Sequence, residues 1–98
     1  MIAIGPGKAD LLEAIDRTGS ISAAARAMRM SYRRAWLLVD TMNACFRAPL
    51  VTTEKGGREG GGAVLTLTGR RALRSYRALA ARVRTEFGPL VRAPRRSR

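Results

Sequence analysis

The spacing of apolar residues predicts two helices in the first third of the chain. The first runs from about Lys8 to Thr18, with apolar side chains on one face and Gly19 at its end. The second begins after Ser20, whose side chain suits an N-cap, and reaches about Met28. Its apolar residues occupy the i, i+3, i+4 and i+7 positions of a buried stripe: Ile21, Ala24, Ala25 and Met28.

Two smaller expectations concern the start of the chain. Met1–Ile4 predicts a short edge strand, closed off by the Gly-Pro-Gly sequence at 5–7. Asp10 and Glu13 fall early in the first helix, where we expect them to interact with the positive end of the helix dipole.

A third helix is predicted after a tight turn formed by Arg29 and Met30. Ser31 is its N-cap, and the helix reaches about Phe46. At about 100° per residue, its inward face holds Ala35, Val39, Met42 and Phe46, and its outward face holds Arg33, Leu37 and Asp40. A short helix, a tight turn and a longer helix are typical of a helix-turn-helix.

The second half of the chain predicts a hairpin and a long helix. Strands are expected at Leu50–Thr53 and Ala63–Leu65, joined by a charged, glycine-rich segment at residues 54–62. Thr66 caps a last helix that reaches about Phe87. The predicted fold is mainly α with a small β-hairpin wing (α+β), a winged helix-turn-helix. It forms one domain of residues 1–87, followed by a basic tail without fixed structure at 88–98 and no effector-binding domain.

We expect a homodimer through the N- and C-terminal helices. A chain of 98 residues buries a small share of its surface, and the last helix carries a longer apolar stripe than such a monomer covers easily. The candidate interface residues are Leu12, Leu73, Tyr76, Ala80, Val83 and Phe87. Leu73 and Tyr76 also suit the chain's own core. A two-fold dimer would place two third helices about one turn of DNA apart, on a palindrome.

The charge of the chain predicts a polyanionic partner. Nineteen Lys and Arg against seven Asp and Glu leave a net charge of +12, which favours double-stranded DNA first and an acidic membrane face second. The N-terminus lacks a signal sequence and no stretch is long enough to span a bilayer. We therefore expect a cytoplasmic, nucleoid-associated protein.

The composition argues against catalysis. Without histidine and with one cysteine, the chain can build no Cys/His zinc site, histidine-based triad or intrachain disulfide. Cys45 lies in an apolar pattern and is expected to pack in the core. The glycine-rich segment lacks the P-loop pattern and lies between strands. We expect no enzyme, cofactor or metal.

The opening turn of the third helix supplies the candidate contacts to bases. Such a helix enters the major groove N-terminus first, which presents Ser31, Tyr32, Arg33 and Arg34. Arg33 points outward and is the best candidate for reading a base, while Arg34 suits a phosphate. Trp36, one turn after Tyr32, suits either core packing or a ring placed against the DNA backbone.

Further contacts to phosphates are expected from the second helix and the wing. Ser20 and Ser22 lie at the start of that helix. In the wing, glycines permit close approach to the backbone or minor groove, and two cations supply charge; the candidates are Lys55, Gly57, Arg58 and Gly60.

Three segments resemble a known family: TGSISAAARAMRMSYRRAW, the Met42-Asn43 pair and KGGREGGGAVLTLTG. The family is the molybdate-responsive ModE family, whose N-terminal DNA-binding domain the chain resembles from about Leu11 to Arg82. The chain is more distantly similar to LysR-type regulators. The resemblance implies a dimeric winged helix and control of metal or molybdenum-cofactor genes. It assigns DNA contact to the wing and to Ser22, Ser31, Tyr32, Arg33 and Arg34.

The sequence departs from that family in two places. The family's molybdate-binding half does not follow the last helix, so the chain gives no support for an oxyanion sensor. Arg29 stands where such turns usually have glycine, and a left-handed backbone there would cost about 1–2 kcal/mol.

Several functions remain open beside a sequence-specific regulator. The chain could be a non-specific architectural nucleoid protein, dominated by its Arg-rich last helix and tail. It could also be a dimerisation partner that modulates a full-length regulator. A basic amphipathic helix at residues 70–87 could lie on a membrane, but the small residues of its apolar stripe and the rest of the fold argue against this, and we expect no membrane partner.

Overall fold

The computed structural model describes residues 4–54 and 62–92, and within them the predicted order of elements is confirmed. The helices and strands are α1 (Pro6–Thr18), α2 (Ile21–Ala27), α3 (Tyr32–Cys45), β1 (Val51–Thr53), β2 (Ala63–Leu65) and α4 (Leu67–Phe87). The two strands pair antiparallel, with Val51 opposite Leu65. A 3-10 turn at Gly88–Leu90 follows α4, where the sequence predicted the start of a tail without fixed structure.

The ends of the helices follow the predicted capping chemistry. Side-chain hydroxyls accept hydrogen bonds from backbone amides that lack a partner inside the helix, which contributes about 0.5–2 kcal/mol for each cap. The caps are Ser20 to the amide of Ala23 (3.0 Å), Ser31 to Arg34 (3.0 Å) and Thr66 to Gly69 (2.9 Å). The C-terminus of α1 is closed by Gly19 at φ +75°.

Asp10 and Glu13 do not serve the dipole of α1, so that prediction was wrong. α1 begins at Pro6, two residues earlier than predicted, and its first turn holds no acidic residue. Both carboxylates instead accept hydrogen bonds from the guanidinium of Arg77 in α4, and the bond that it donates to Asp10 measures 2.8 Å. The bonds to Asp10 and then to Glu13 raise the pKa of the Arg77 guanidinium. These ion pairs join α4 to α1.

The core lies between α1, α2, α3 and the base of the hairpin. Its largest completely buried side chains are Leu11, Leu12, Ile15, Val39, Met42 and Leu50. The prediction that Leu12 contacts a second copy was therefore wrong, because the chain's own core covers it. Ile4 is also buried, but outside a strand, and residues 1–3 of the predicted edge strand lie outside the described range. The alanines of α2 let the neighbouring helices approach closely.

Cys45 is exposed, so the expectation that it packs in the core was also wrong. It is the last residue of α3 and lies about 120° around the helix from Val39, which is 1% exposed. The apolar pattern at this end of α3 is therefore continued inward by Met42, not by the cysteine.

Asn43 fixes the path from α3 into the hairpin. Its carbonyl oxygen accepts hydrogen bonds from the amides of Leu50 (2.8 Å) and Val51 (3.2 Å), and its amide nitrogen donates to the carbonyl of Val51 (3.1 Å). One side chain thereby satisfies three backbone groups that no helix or strand pairs. The start of the hairpin is thereby held in a defined position relative to α3.

Candidate nucleic-acid interface

The first turn of α3 and its cap bring four predicted contact residues together at the surface. Ser31, Tyr32, Arg33 and Arg34 are all exposed. The opposite face of α3 is locked into the core by side chains that are at most 1% exposed: Ala35, Val39 and Met42. The helix therefore presents its N-terminal end as a rigid, basic projection, the form that a major-groove reading helix requires.

Tyr32 and Trp36 pack against each other one turn apart. Their ring centroids lie 6.2 Å apart at 81°, an edge-to-face arrangement. Trp36 is half-buried and packs against the core, whereas Tyr32 is 54% exposed. Trp36 therefore has a packing role inside the chain, and it supports Tyr32 at the surface from behind.

Arg34 lies on the side of α3 that faces the beginning of α1. It lines a surface groove of about 380 Å³ together with Lys8, and half-buried apolar side chains form the floor. Arg33 does not line this groove. The two neighbouring arginines consequently occupy different surroundings, because Arg34 shares its groove with the cation of Lys8.

The start of α2 holds two predicted serines and one arginine that sequence reasoning missed. The hydroxyl of Ser20 caps α2 by accepting a hydrogen bond from the amide of Ala23. The hydroxyl of Ser22 accepts a hydrogen bond of 3.2 Å from the guanidinium of Arg26. Residues four apart lie on one helix face, and this spacing was the signal that could have identified Arg26. The bond draws a positive charge toward Ser22.

The turn between α2 and α3 is regular despite its arginine. Arg29 has φ +57°, as a left-handed residue does. Its amide donates to the carbonyl of Arg26 at 3.1 Å, and the amide of Met30 donates to that of Ala25 at 3.0 Å. These two bonds form a Schellman motif, in which the left-handed position is usually glycine.

The wing begins beside the turn between α1 and α2. The amide of Ala63 in β2 donates a hydrogen bond of 2.9 Å to the carbonyl of Gly19. The base of the hairpin is thus bonded to the helix-turn-helix itself. The predicted wing contacts Lys55, Gly57, Arg58 and Gly60 lie outside the described residues.

A family model matches residues 8–70 of the chain, described as "Bacterial regulatory helix-turn-helix protein, lysR family". The match extends from α1 through the hairpin into the start of α4. The chain belongs to this lysR-type family.

Curated relatives of this lysR-family chain confirm the resemblance seen in its sequence. It is 50% identical over 80 residues to "Molybdenum-pterin-binding protein MopB" of Rhodobacter capsulatus, covering 82% of this chain and 30% of that one. It is 49% identical over 77 residues to "Molybdenum transport protein ModE" of Azotobacter vinelandii, with coverages of 79% and 28%. It is 41% identical over 75 residues to "DNA-binding transcriptional dual regulator ModE" of Escherichia coli K12, with coverages of 76% and 29%. The chain spans less than a third of the length of these relatives.

A solved structure confirms the fold of the lysR-family chain. The crystal structure of a LysR family transcriptional regulator superposes with a TM-score of 0.68 over 96% of this chain and 30% of that one, at 15% sequence identity. The predicted winged helix-turn-helix architecture is therefore correct.

Helix α4 of the lysR-family chain packs against the core only along its first half. Leu73 and Tyr76 are half-buried against the core, whereas Val83 is 45% and Phe87 57% exposed. Leu79, which sequence reasoning missed, is 59% exposed. No helix within residues 4–54 and 62–92 is long and apolar enough to cross a membrane. The second half of α4 thus leaves an apolar face uncovered by the described part of the chain.

Proposed function

We propose that this chain is a transcriptional regulator that binds double-stranded DNA with α3 in the major groove and the wing on the adjacent backbone or minor groove. One observation carries the proposal: Ser31, Tyr32, Arg33 and Arg34 project together from a helix whose other face is fixed in the core. A net charge of +12 supplies the field that attracts the duplex. Binding to the chromosome would place the protein at the nucleoid.

The different surroundings of Arg33 and Arg34 support different roles. Arg33 extends from the outward face of α3, and a guanidinium there suits bidentate bonding to the O6 and N7 atoms of guanine. Arg34 shares its groove with Lys8, and a pair of cations suits a phosphate. Ser22 with Arg26 would contact a second phosphate. The wing contacts at Lys55 and Arg58 stay predictions of the sequence.

A homodimer fits the uncovered half of α4. Its exposed face is formed by Leu79, Val83 and Phe87, and a second copy related by two-fold symmetry would cover this face. The same symmetry would present two α3 helices to half-sites about 34 Å apart, one turn of the duplex. This arrangement predicts a palindromic operator.

Genes for handling molybdenum are the proposed targets. Two relatives that share about half of the aligned residues are named for molybdenum-pterin binding and molybdenum transport. Similar DNA-binding domains often bind similar sites, so we expect related operators.

The alternative of a non-specific binder dominated by α4 is less well supported. Of the arginines along α4, Arg70 lies 3.2 Å from Asp16, Arg77 binds Asp10 and Glu13, and Arg82 lies 3.4 Å from Glu86. These carboxylates neutralise part of the charge that such binding needs. None of the arginines in the first turn of α3 has a carboxylate partner among the described residues.

Genome-wide mapping of bound sites, followed by footprinting, tests the proposal. We expect discrete palindromic footprints and an affinity that falls steeply with salt, because each phosphate contact releases counterions. Uniform coverage of the genome would support the architectural alternative. No DNA affinity, together with heterodimers with a longer regulator, would support the dimerisation partner.

A further inference from the structure

Arg29 occupies a position where the fold itself favours glycine. The chain has two left-handed residues at the ends of helices in the part that the structure describes, and at the other one, φ +75°, it uses Gly19. At Arg29 the Schellman motif is closed by backbone groups alone. A glycine would make the same hydrogen bonds, without the cost of about 1–2 kcal/mol that a left-handed residue with a Cβ carries.

The side chain of Arg29 brings the described protein too little stability to offset that cost. It is exposed and makes no hydrogen bond or ion pair within residues 4–54 and 62–92. A cation near the C-terminus of a helix stabilises it by about 0.3–1 kcal/mol at an exposed site, and α2 has only two turns. Folding alone therefore does not account for an arginine here.

The position of Arg29 suggests what the side chain contacts. One residue, Met30, separates it from the cap of α3, so its Cα lies at most about 7 Å from that of Ser31. A helix about 10–12 Å across fills a major groove about 12 Å wide. A residue just outside the inserted end consequently lies near the edge of the groove, where the phosphates run.

We propose that Arg29 is a phosphate anchor at the edge of the groove that α3 enters. The inference rests on the proposed function and deepens it. Arg29 contributes affinity without sequence preference, and the protein retains a strained turn because the guanidinium binds DNA. Because Met30 packs partly against the core directly after it, the turn holds the anchor at a fixed distance from Arg33.

Arg29→Gly in the full chain tests this proposal. The substitution removes both the backbone strain and the phosphate contact, so stability should rise while the affinity for DNA falls. We expect a higher unfolding temperature but an affinity for the mapped operator roughly threefold or more weaker at 0.2 M salt, with the slope of log K against log salt reduced by about one for each protomer bound. Arg29→Lys keeps both the charge and the strain, so it should retain the slope and the stability of the parent.

Arg47→Gly is the matched control. Arg47 is exposed and follows α3, which is 14 residues or about 20 Å long, so it lies far from the cap. The slope of log K against log salt for Arg47→Gly should equal that of the parent chain. An unchanged slope in Arg29→Gly, or an equal loss in Arg47→Gly, would overturn the phosphate anchor and leave the proposed function standing. A parent chain that binds no duplex would overturn both.

Discussion

The α carbon of Gly69 faces the carbonyl oxygen of Leu50 so closely that a Cβ atom at Gly69 would lie 2.2 Å from it. At this contact the first turn of α4 crosses the entry to the hairpin. The hydroxyl of Thr66 holds the two segments together by donating a hydrogen bond of 2.7 Å to the carbonyl of Pro49. Only glycine allows the two backbones to meet there. The position of the hairpin's base relative to α4 depends on this close approach.

Gly69→Ala should therefore destabilise the fold. The clash involves backbone on both sides, which cannot swing aside as a flexible side chain can, and we expect a loss of about 1–3 kcal/mol in the free energy of unfolding. Gly88→Ala is the control, because a Cβ at Gly88 meets nothing within 4 Å. It should change stability by no more than about 1 kcal/mol. Equal unfolding midpoints for the two variants, measured by circular dichroism, would show that the contact is unimportant.

Arg77→Met should weaken the attachment of α4 to α1. The guanidinium binds Asp10 and Glu13 at a site where it is 41% exposed, so we expect a loss of no more than about 1 kcal/mol, and less at high salt. Arg84→Met, on the same helix without an ion pair to the described residues, should cost less.

The pH dependence of that loss follows from the raised pKa of Arg77. A base with a raised pKa in the folded state contributes fully below its unfolded pKa and loses the contribution only as the pH rises through the folded value. The cost of Arg77→Met should therefore be constant from about pH 6 to about pH 9. Denaturant titrations across that range check it, and a cost that disappears toward pH 9 would contradict it.

Val83→Asp should separate the proposed dimer. A charge placed on the uncovered apolar face of α4 would have to be buried between two copies, which is costly without a partner. Ala81→Asp is matched to it, since Ala81 is also exposed but lies about 160° around the helix. Sedimentation should show monomers for the first variant and dimers for the second. Monomers in the unsubstituted chain at operator-binding concentrations would refute the dimer.

Local chemistry made much of this fold predictable. The three hydroxyl caps, Gly19 at the end of α1 and the inward face of α3 all depend on residues within one or two turns of each other. Arg29 has the left-handed backbone that the family resemblance had raised as a possibility, since such turns usually have glycine at this position.

Contacts between distant segments were not predictable in this way. Asp10 and Glu13 were assigned to their own helix because the sequence does not show that Arg77 reaches them from α4. Leu12 was assigned to a dimer because periodicity identifies an apolar face but not the surface that covers it. Cys45 looked buried because its neighbours are apolar, whereas the helix turns it outward.

In the candidate site, too, local features were predictable from the sequence and contacts between distant segments were not. The exposed set at the start of α3 followed from its place at the opening of the third helix of a helix-turn-helix, whereas the bond between Arg26 and Ser22 and the groove shared by Lys8 and Arg34 needed the structure. The first pair could have been suspected from its spacing of four residues. Lys8 and Arg34 come from different helices, and the sequence alone gave no sign of their proximity.

The central claim is that the opening turn of α3 reads DNA sequence, and selection of binding sites from a random pool of duplexes tests it most directly. The unsubstituted chain should enrich a palindrome, and Arg33→Ala should relax the preference at one position of each half-site, with a cost of about 1–3 kcal/mol for the preferred base. Arg34→Ala should weaken all sites alike and retain the same palindrome. A pool that stays random with the unsubstituted chain, or an identical preference after Arg33→Ala, would contradict the account.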